Sequence, residues 1–284
     1  MISIVIPTFN EEENIEDLLH EISEVLSDRE VEFIIIDDNS DDNTANIVGN
    51  LRSEFENLDL IERDSRNGIG SAYKRAFQEI EGDIIVQMDA DFSHRPEDIP
   101  GLISKIEDGA DVAIGSRYVD GGDRNDPLLR RINPWIGRFL YTYILGSPVN
   151  DFTSGFKAYE SSVAKEIPEY DLPDGFHFQA ASLMKLTKED RIMKEVPIDF
   201  QPRRAGKPKY STKDLLDNIE LFIRLFIKEY EKMLKFGMVG ASGVLVNMGL
   251  LYFLTEQLGV YYLFSAIIAV ESSIITNFIF NEIW

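Results

Sequence analysis

The sequence predicts an α/β domain, doubly wound around a mostly parallel sheet, followed by a membrane hairpin. Two observations predict the domain, and a third predicts the hairpin. Short, nearly continuous apolar runs rich in β-branched residues recur along the first two thirds of the chain, and longer amphipathic stretches separate them. Strands covered by helices on both faces have this pattern. The third observation is a change of composition at Phe236, after which the chain is almost wholly apolar.

The alternating part runs from Met1 to about Pro202. Its predicted strands are the segments ISIVIP, EFIIID, LDLIE, DIIVQMD and DVAIGS. Its predicted helices cover residues 11–26, 41–55, 70–80 and 96–106, where apolar residues recur at helical spacing.

Two apolar stretches follow. The first, FGMVGASGVLVNMGLLYFLT, carries no charge, and its length suits a helix that crosses a bilayer. Its glycines predict close approach of a neighbouring helix, namely Gly237, Gly240, Gly243 and Gly249. The second stretch, residues 261–280, contains one charged residue, Glu271, which we expect to face the first span near Asn247. The alternative is a pair of buried core helices in a soluble domain.

Basic residues precede the first span, namely Arg224, Lys228, Lys232 and Lys235. The positive-inside tendency then places the N-terminal domain on the cytoplasmic side of the cell membrane, in a multi-pass protein. Residues 211–235 are apolar yet charged, which is typical of a helix in the membrane interface, although packing on the soluble domain is the alternative. We therefore expect a domain of residues 1–210, an interfacial segment of residues 211–235 and a hairpin of residues 236–284.

Composition excludes several classes of protein. The chain has 284 residues and a formal charge of −22, which argues against a general nucleic-acid binder because phosphate backbones select basic surfaces. It has no cysteine, which excludes disulfides and thiolate metal sites and indicates a reducing compartment. The N-terminus carries no basic region and only a short apolar run, so we do not expect a signal peptide.

Charged residues follow the predicted strands at the points where they end. Asp38 follows the second strand, Asp89 and Asp91 the fourth, and Arg117 the fifth. The carboxyl ends of parallel strands meet at one edge, where ligands bind. Carboxylates crowded there favour a divalent cation, and their oxygens suit Mg²⁺ or Mn²⁺.

Two other sites would use similar residues. GIGSAY, with Gly68 and Gly70, partly matches a dinucleotide-binding fingerprint, but it lacks the third glycine and follows the third strand instead of the first. An aspartyl nucleophile of the phosphatase type also lies in a D-x-D after a strand, but there we expect the first strand, whereas this pair follows the fourth.

Six ordered motifs carry a resemblance to a known family: SIVIPTFNEEENI, IIIDDNSDDNT, RNGIGSAYKRAF, VQMDADFSHRPEDIP, AIGSRYVDGG and DFTSGFKAY. Together they resemble the inverting glycosyltransferases of family 2, which have the GT-A fold. Within that family they more closely resemble the dolichyl-phosphate mannose synthases and the bacterial polyprenyl-phosphate glucosyltransferases. The C-terminal part resembles the first half of a GtrA-like membrane domain, which usually has four spans.

The resemblance implies roles for individual residues. The nucleotide-sugar site would include Pro7, Phe9, Glu11, Asp38, Asp89, Ala90, Asp91 and Arg117. Within it, Asp89 and Asp91 would hold the diphosphate through Mg²⁺ or Mn²⁺. The residues expected to act on the diphosphate or the acceptor phosphate are Asp91, Arg117, Arg131 (or its neighbour Arg130), Arg203 and Lys209.

The implied activity is inverting transfer of a hexose, most simply mannose from GDP-mannose, to a polyprenyl (dolichyl) phosphate at the cytoplasmic membrane face. The implied partners are this nucleotide sugar, the lipid phosphate and membrane lipid, and a homo-oligomer is left open. A UDP-glucose-dependent glucosyltransferase and a non-catalytic nucleotide-sugar-binding scaffold are the alternatives. The sequence departs from the family pattern at Ser93, Ala181 and Pro208, where Gln, Glu and Ser are common.

Overall fold

The protein is described by a computed structural model, which covers residues 1–124, 137–206 and 211–283. It divides into two compact units, Met1–Phe222 and Ile223–Trp284. Each unit is described by itself below.

The first unit contains an α/β sandwich. Its strands are β1 (Ile2–Thr8), β2 (Val31–Asp37), β3 (Leu58–Glu62), β4 (Ile84–Gln87), β5 (Val112–Ser116), β6 (Asp123–Arg124), β7 (Lys157–Glu160), β8 (Met193–Pro197) and β9 (Asp199–Phe200). Its helices are α1 (Ile15–Val25), α2 (Thr44–Leu51), α3 (Ile69–Ala76), α4 (Ile99–Glu107), α5 (Ser161–Glu166) and α6 (Phe178–Lys188). The five predicted strands and four predicted helices all form, with shorter helices than the sequence pattern indicates.

Within the described residues, seven strands form the main sheet in the order β3-β2-β1-β4-β7-β5-β8. All neighbours are parallel except β7, which runs antiparallel between β4 and β5. This strand was not predicted, because four residues beginning with a lysine give no strand signal. A separate two-stranded ribbon pairs β6 with β9. The α/β fold class is thereby confirmed.

Helix α1 shows how the sequence positions the sheet. Its apolar residues Ile15, Leu18, Leu19 and Ile22 recur at helical spacing and are fully buried. They pack in one core cluster with inward-facing strand residues such as Ile4 and Ile35. The cluster covers one face of the sheet, so the strand ends are held rigidly at its edge.

The glycines of the GIG segment serve packing. Gly68 has a φ of +93°, and a Cβ there would lie 2.5 Å from the carbonyl oxygen of Asp174. A Cβ on Gly70 would lie 2.5 Å from the carbonyl oxygen of Pro173, and the Gly70 N–H donates to Asp174 at 2.7 Å. These glycines let the start of α3 approach residues 173–175 closely. They accordingly have a structural reason in this chain other than dinucleotide binding.

Gly68→Ala is expected to lower the free energy of unfolding by about 2–4 kcal/mol, because it adds both backbone strain and steric overlap. Gly109→Ala is the matched control, since Gly109 has a φ of +92° but nothing lies within 4 Å of a Cβ there. The control should lose only about 1 kcal/mol. Denaturant unfolding of the two variants measures the difference, and equal losses would show that the close approach to Asp174 is unimportant.

The C-terminal helices are α7 (Thr212–Glu229), α8 (Glu231–Tyr252) and α9 (Tyr262–Ile283). The helical segments 231–257 and 262–283 are long and apolar enough to cross a membrane. Only 11% of the apolar window of each is buried. They are therefore not the buried core helices of the alternative interpretation.

Helices α8 and α9 pack through small and amide side chains. In α9 the contact face repeats every four residues: Ser265, Ala269, Ser273 and Asn277. The Ser273 hydroxyl donates to the carbonyl oxygen of Gly243 at 2.8 Å. Of the four predicted glycines, all within the described part, only Gly243 has a close neighbour for an added Cβ, the Asn277 amide.

The expectation that Glu271 faces the first span is wrong. Its side chain is exposed on the hairpin surface. Residue 271 lies midway between Ala269 and Ser273 in the four-residue repeat. At 3.6 residues per turn, this position falls on the opposite side of α9.

Candidate active site

The two aspartates of the DAD motif lie in a tight turn directly after β4. Ala90, between them, is buried in the core cluster, so only its backbone is available to a ligand. Phe92 has a φ of +62°, which reverses the chain. Because β4 ends at Gln87, the turn places both aspartates at the edge where the parallel strands end.

Arg203 connects Asp91 to Glu11. Its Nη1 donates to both carboxylate oxygens of Glu11 at 2.9 and 3.1 Å, and its Nη2 lies 3.1 Å from Oδ2 of Asp91. The other oxygen of Asp91 accepts the Ser93 N–H at 3.0 Å. Glu11, Asp91 and Arg203 come from three distant parts of the chain, and all three are predicted site residues.

Backbone hydrogen bonds hold the segment that carries Arg203. The N–H of Arg204 donates to the carbonyl oxygen of Asp91 at 3.0 Å, and that of Gln201 donates to Ser93 at 3.1 Å. The guanidinium of Arg204 also lies over the Phe92 ring at 4.7 Å. Residues 201–204 therefore follow the acidic turn closely, which fixes the arginine against it.

Asp89 is the more accessible carboxylate, with 34% of its side chain exposed. A Cβ on Gly155 would lie only 3.3 Å from its Oδ2, so glycine makes room for the carboxylate. The backbone N–H of Asp89 donates to Nδ1 of His94 at 3.2 Å. Burial against Phe156 lowers the pKa of His94 to about 4, so the ring is neutral at pH 7 and accepts this hydrogen bond.

The acidic pair fits a divalent cation that also binds a diphosphate. Carboxylate oxygens are the ligands that Mg²⁺ and Mn²⁺ prefer, and the space that Gly155 leaves beside Asp89 keeps that carboxylate accessible. Among the described residues, no cluster of three or more His, Asp or Glu side chains surrounds a point suitable for a metal. A cation here would therefore take its remaining ligands from phosphate and water, as Mg²⁺ commonly does.

Asp38 holds a loop beside the first strand. Its carboxylate accepts the backbone N–H groups of Asn67 and Gly68 at 3.1 and 3.2 Å and lies 3.0 Å from Nη1 of Arg63. The same loop places the guanidinium of Arg66 over the ring of Phe9 at 4.2 Å. Two predicted site residues, Phe9 and Asp38, are thus joined through residues 63–68.

Arg117 emerges after β5 and binds a fully buried carboxylate. Its Nε and Nη2 donate to the two oxygens of Asp151 at 2.7 and 2.6 Å, and Nη2 also donates to Thr153 at 3.0 Å. Glu195 accepts the backbone N–H groups of Asn150 and Asp151 at 2.9 and 3.1 Å. The guanidinium is therefore fixed in one orientation by a chain of hydrogen bonds from β8.

The sequence predicts no role for Asp151, Arg63 or Arg66. All three lie at the edge of the sheet where the parallel strands end. Asp151 and Arg66 lie within two of the motifs that carried the family resemblance, DFTSGFKAY and RNGIGSAYKRAF. Those motifs were the signal that could have found them. The predicted residues Arg130, Arg131 and Lys209 lie outside the described residues. Pro7 lies within β1, opposite Ile36.

Comparison with known families matches both parts of the chain. Residues 3–168 match the family described as Glycosyl transferase family 2. Residues 235–284 match the family described as GtrA/DPMS, transmembrane domain. The family resemblance of the soluble part and of the membrane part is thereby confirmed.

Relatives extend the match to the whole chain. A dolichol-phosphate mannosyltransferase of Pyrococcus furiosus is 38% identical over 290 residues, covering 100% of this chain and 80% of the relative. A polyprenol monophosphomannose synthase of Mycolicibacterium smegmatis is 32% identical over 214 residues, covering 73% of this chain and 80% of the relative.

A solved structure shows the fold. Glucosyl-3-phosphoglycerate synthase from Mycobacterium tuberculosis, in complex with Mn²⁺, uridine diphosphate and phosphoglyceric acid, matches with a TM-score of 0.59 and 22% identity. The match covers 80% of this chain and 78% of that one, and it bears out the expected GT-A fold. The chain therefore belongs to glycosyl transferase family 2, as a glycosyltransferase with a GtrA/DPMS transmembrane domain.

Proposed function

We propose that this enzyme transfers mannose from GDP-mannose to a polyprenyl phosphate at the cytoplasmic face of the membrane. The observation that carries the proposal is the edge where Asp89, Asp91, Arg117 and Arg203 emerge, in a chain that also carries membrane helices. Carboxylates for a cation and guanidinium groups for phosphates are what a reaction between two phosphorylated substrates needs. The 38% identity to a dolichol-phosphate mannosyltransferase supports mannose and the lipid acceptor.

The reaction needs no general base. A phosphate monoester loses its second proton near pH 6, so the acceptor oxygen is largely ionised at pH 7. That oxygen attacks the anomeric carbon, and the bond from this carbon to the diphosphate oxygen breaks with its electron pair leaving on the diphosphate. Attack opposite the leaving group inverts the anomeric carbon. The site therefore does not have to remove a proton from the acceptor. It has to bring two anionic substrates together.

The charged residues supply that attraction. Asp89 and Asp91 would hold a Mg²⁺ or Mn²⁺ ion, which, when bound, acts as a Lewis acid for the departing diphosphate. Arg203, already beside Asp91, binds the diphosphate, and Arg117 orients the acceptor phosphate. Arg131 and Lys209 remain proposed contacts of the lipid phosphate, and Pro7, Phe9, Glu11 and Asp38 remain proposed for the nucleoside side of the pocket.

The membrane arrangement follows from the distribution of charge and apolar surface. Helix α7 exposes a row of apolar residues, namely Leu215, Leu216, Ile219, Ile223 and Ile227, which supports an interfacial position for residues 211–235. Lysines and Arg224 precede the first span, whereas residues 258–261 between the spans contain no basic residue. This asymmetry supports the cytoplasmic placement of residues 1–210, with residues 236–284 in the bilayer.

Incubation of membranes containing the enzyme with labelled nucleotide sugars tests the proposal. We expect label from GDP-mannose to enter a polyprenyl phosphate in the presence of Mg²⁺ or Mn²⁺ and to remain in the aqueous phase when a chelator is added. Label from UDP-glucose entering the lipid instead would identify a glucosyltransferase. Absence of lipid label from every donor would overturn the proposal.

A further inference from the structure

Lys157 is a fully buried amine that the proposed reaction does not use. It begins the antiparallel strand β7, where it lies opposite Gln87 of β4, and none of its surface is exposed. Its Nζ donates to the side-chain oxygen of Gln179 at 2.7 Å and to the backbone oxygen of that residue at 3.3 Å. Among the residues that the structure describes, no carboxylate lies within ion-pairing distance of this nitrogen.

Stability does not explain a lysine at this position. Burial lowers the pKa of Lys157 to about 7, and the more distant carboxylates of Asp151 and Asp89 oppose this shift. A buried amine that lacks an ion-pair partner costs free energy that an apolar side chain of similar length would not. Buried groups that cost stability are most often found where a site needs them.

Hydrogen bonds connect Lys157 to the backbone around Asp89. Gln179 also accepts a hydrogen bond from Nε2 of Gln87 at 2.9 Å. The same nitrogen donates to the carbonyl oxygen of Gly155 at 3.0 Å. Gln87 is two residues before Asp89, and Gly155 lies against the Asp89 carboxylate. The network therefore fixes both the strand end that carries this carboxylate and the backbone beside it.

We propose that Lys157 is a positioning residue of the donor site, which acts through Gln179 and Gln87 to fix the Asp89 carboxylate for the cation and diphosphate. This inference rests on the proposed function, because it assumes that a divalent cation binds at Asp89. It assigns Lys157 no contact with substrate. Its consequence is that losing the amine weakens cation binding without weakening the fold.

The test compares the full chain with Lys157→Met in detergent. Calorimetry should show that Mn²⁺ binds the variant about tenfold more weakly than wild type in the presence of saturating GDP. The concentration of Mn²⁺ that half-saturates transfer should rise by a similar factor, with an unchanged KM for the lipid phosphate. Lys185→Met, on the exposed side of α6 where the lysine pairs with Glu189, is the matched control and should behave as wild type.

Thermal unfolding separates positioning from a merely structural role. At pH 7 the unfolded lysine is almost fully protonated, whereas the folded amine, with a pKa of about 7, is only about half protonated. This difference disfavours the folded wild type, so Lys157→Met should melt at or above the wild-type temperature. Its advantage should shrink as the pH rises toward the ordinary lysine pKa, because the unfolded amine then loses its proton as well. The charged groups that act on the amine are the carboxylates of Asp151 and Asp89, which raise its pKa against the effect of burial.

A folded Lys157→Met with wild-type Mn²⁺ binding would overturn the inference. If that variant does not fold, Gln179→Met decides the question by the same calorimetry, because it removes the side-chain oxygen that accepts from both Lys157 and Gln87. Binding of Mn²⁺ in the presence of GDP is measured without transfer, so it tests this inference alone. Failure of the proposed function would appear separately, as absence of lipid labelling by the wild-type enzyme.

Discussion

Asp91→Asn is expected to lower mannose transfer by roughly a thousandfold or more, because it removes one of the two carboxylates proposed to hold the cation. The asparagine keeps the size of the side chain and the acceptor for the Ser93 N–H. It loses the negative charge that now lies 3.1 Å from Nη2 of Arg203. Initial rates of lipid labelling over a range of Mn²⁺ concentrations measure the effect.

Asp59→Asn is the matched control for this change. Asp59 is an exposed residue of β3 whose ion pair with Arg52 is long, at 3.7 Å. Removing its charge alters the net charge of the chain equally but should leave the rate unchanged. Wild-type activity of a folded Asp91→Asn enzyme would contradict the assignment of the acidic pair.

Arg117→Lys is expected to lower kcat/KM for the lipid phosphate by about a hundredfold while leaving GDP binding in Mn²⁺ unchanged. Lysine keeps the charge, but it has no planar fork and cannot reproduce the paired hydrogen bonds to Asp151. The ammonium would be less well oriented toward the acceptor phosphate. Kinetics with varied lipid phosphate and calorimetry with GDP measure the two parts separately.

The control for this change is Arg75→Lys, because Arg75 lies on α3 and forms a surface ion pair with Glu79, beyond the end of that helix. It should cost neither activity nor binding. Equal loss of GDP binding and of acceptor turnover in Arg117→Lys would place Arg117 on the donor side. Full activity would show that its guanidinium geometry is not needed.

Much of the fold follows from local pattern. Residues such as Ile4 and Leu18 lie in strong apolar periodicities, and the predicted strands and helices around them all form. The antiparallel β7 was missed because its four residues form a strand only between β4 and β5. The orientation of Glu271 was missed because the small-residue repeat of α9, which decides the contact face, is a weaker signal than the cost of a charge in the membrane.

The candidate site is predictable where a residue directly follows a strand. Asp89, Asp91 and Arg117 were found in this way. The pairing of Glu11 with Arg203 spans 192 residues, and no spacing rule connects residues so far apart. Asp151 was missed as well, because its role depends on being brought next to Arg117 by β7, which the sequence pattern did not reveal.

Diffraction from crystals soaked with Mn²⁺ and GDP tests the central claim most directly. The anomalous signal of manganese should lie between the carboxylates of Asp89 and Asp91, with the diphosphate against the guanidinium of Arg203. Manganese bound elsewhere, or a nucleotide held away from this edge of the sheet, would contradict the account.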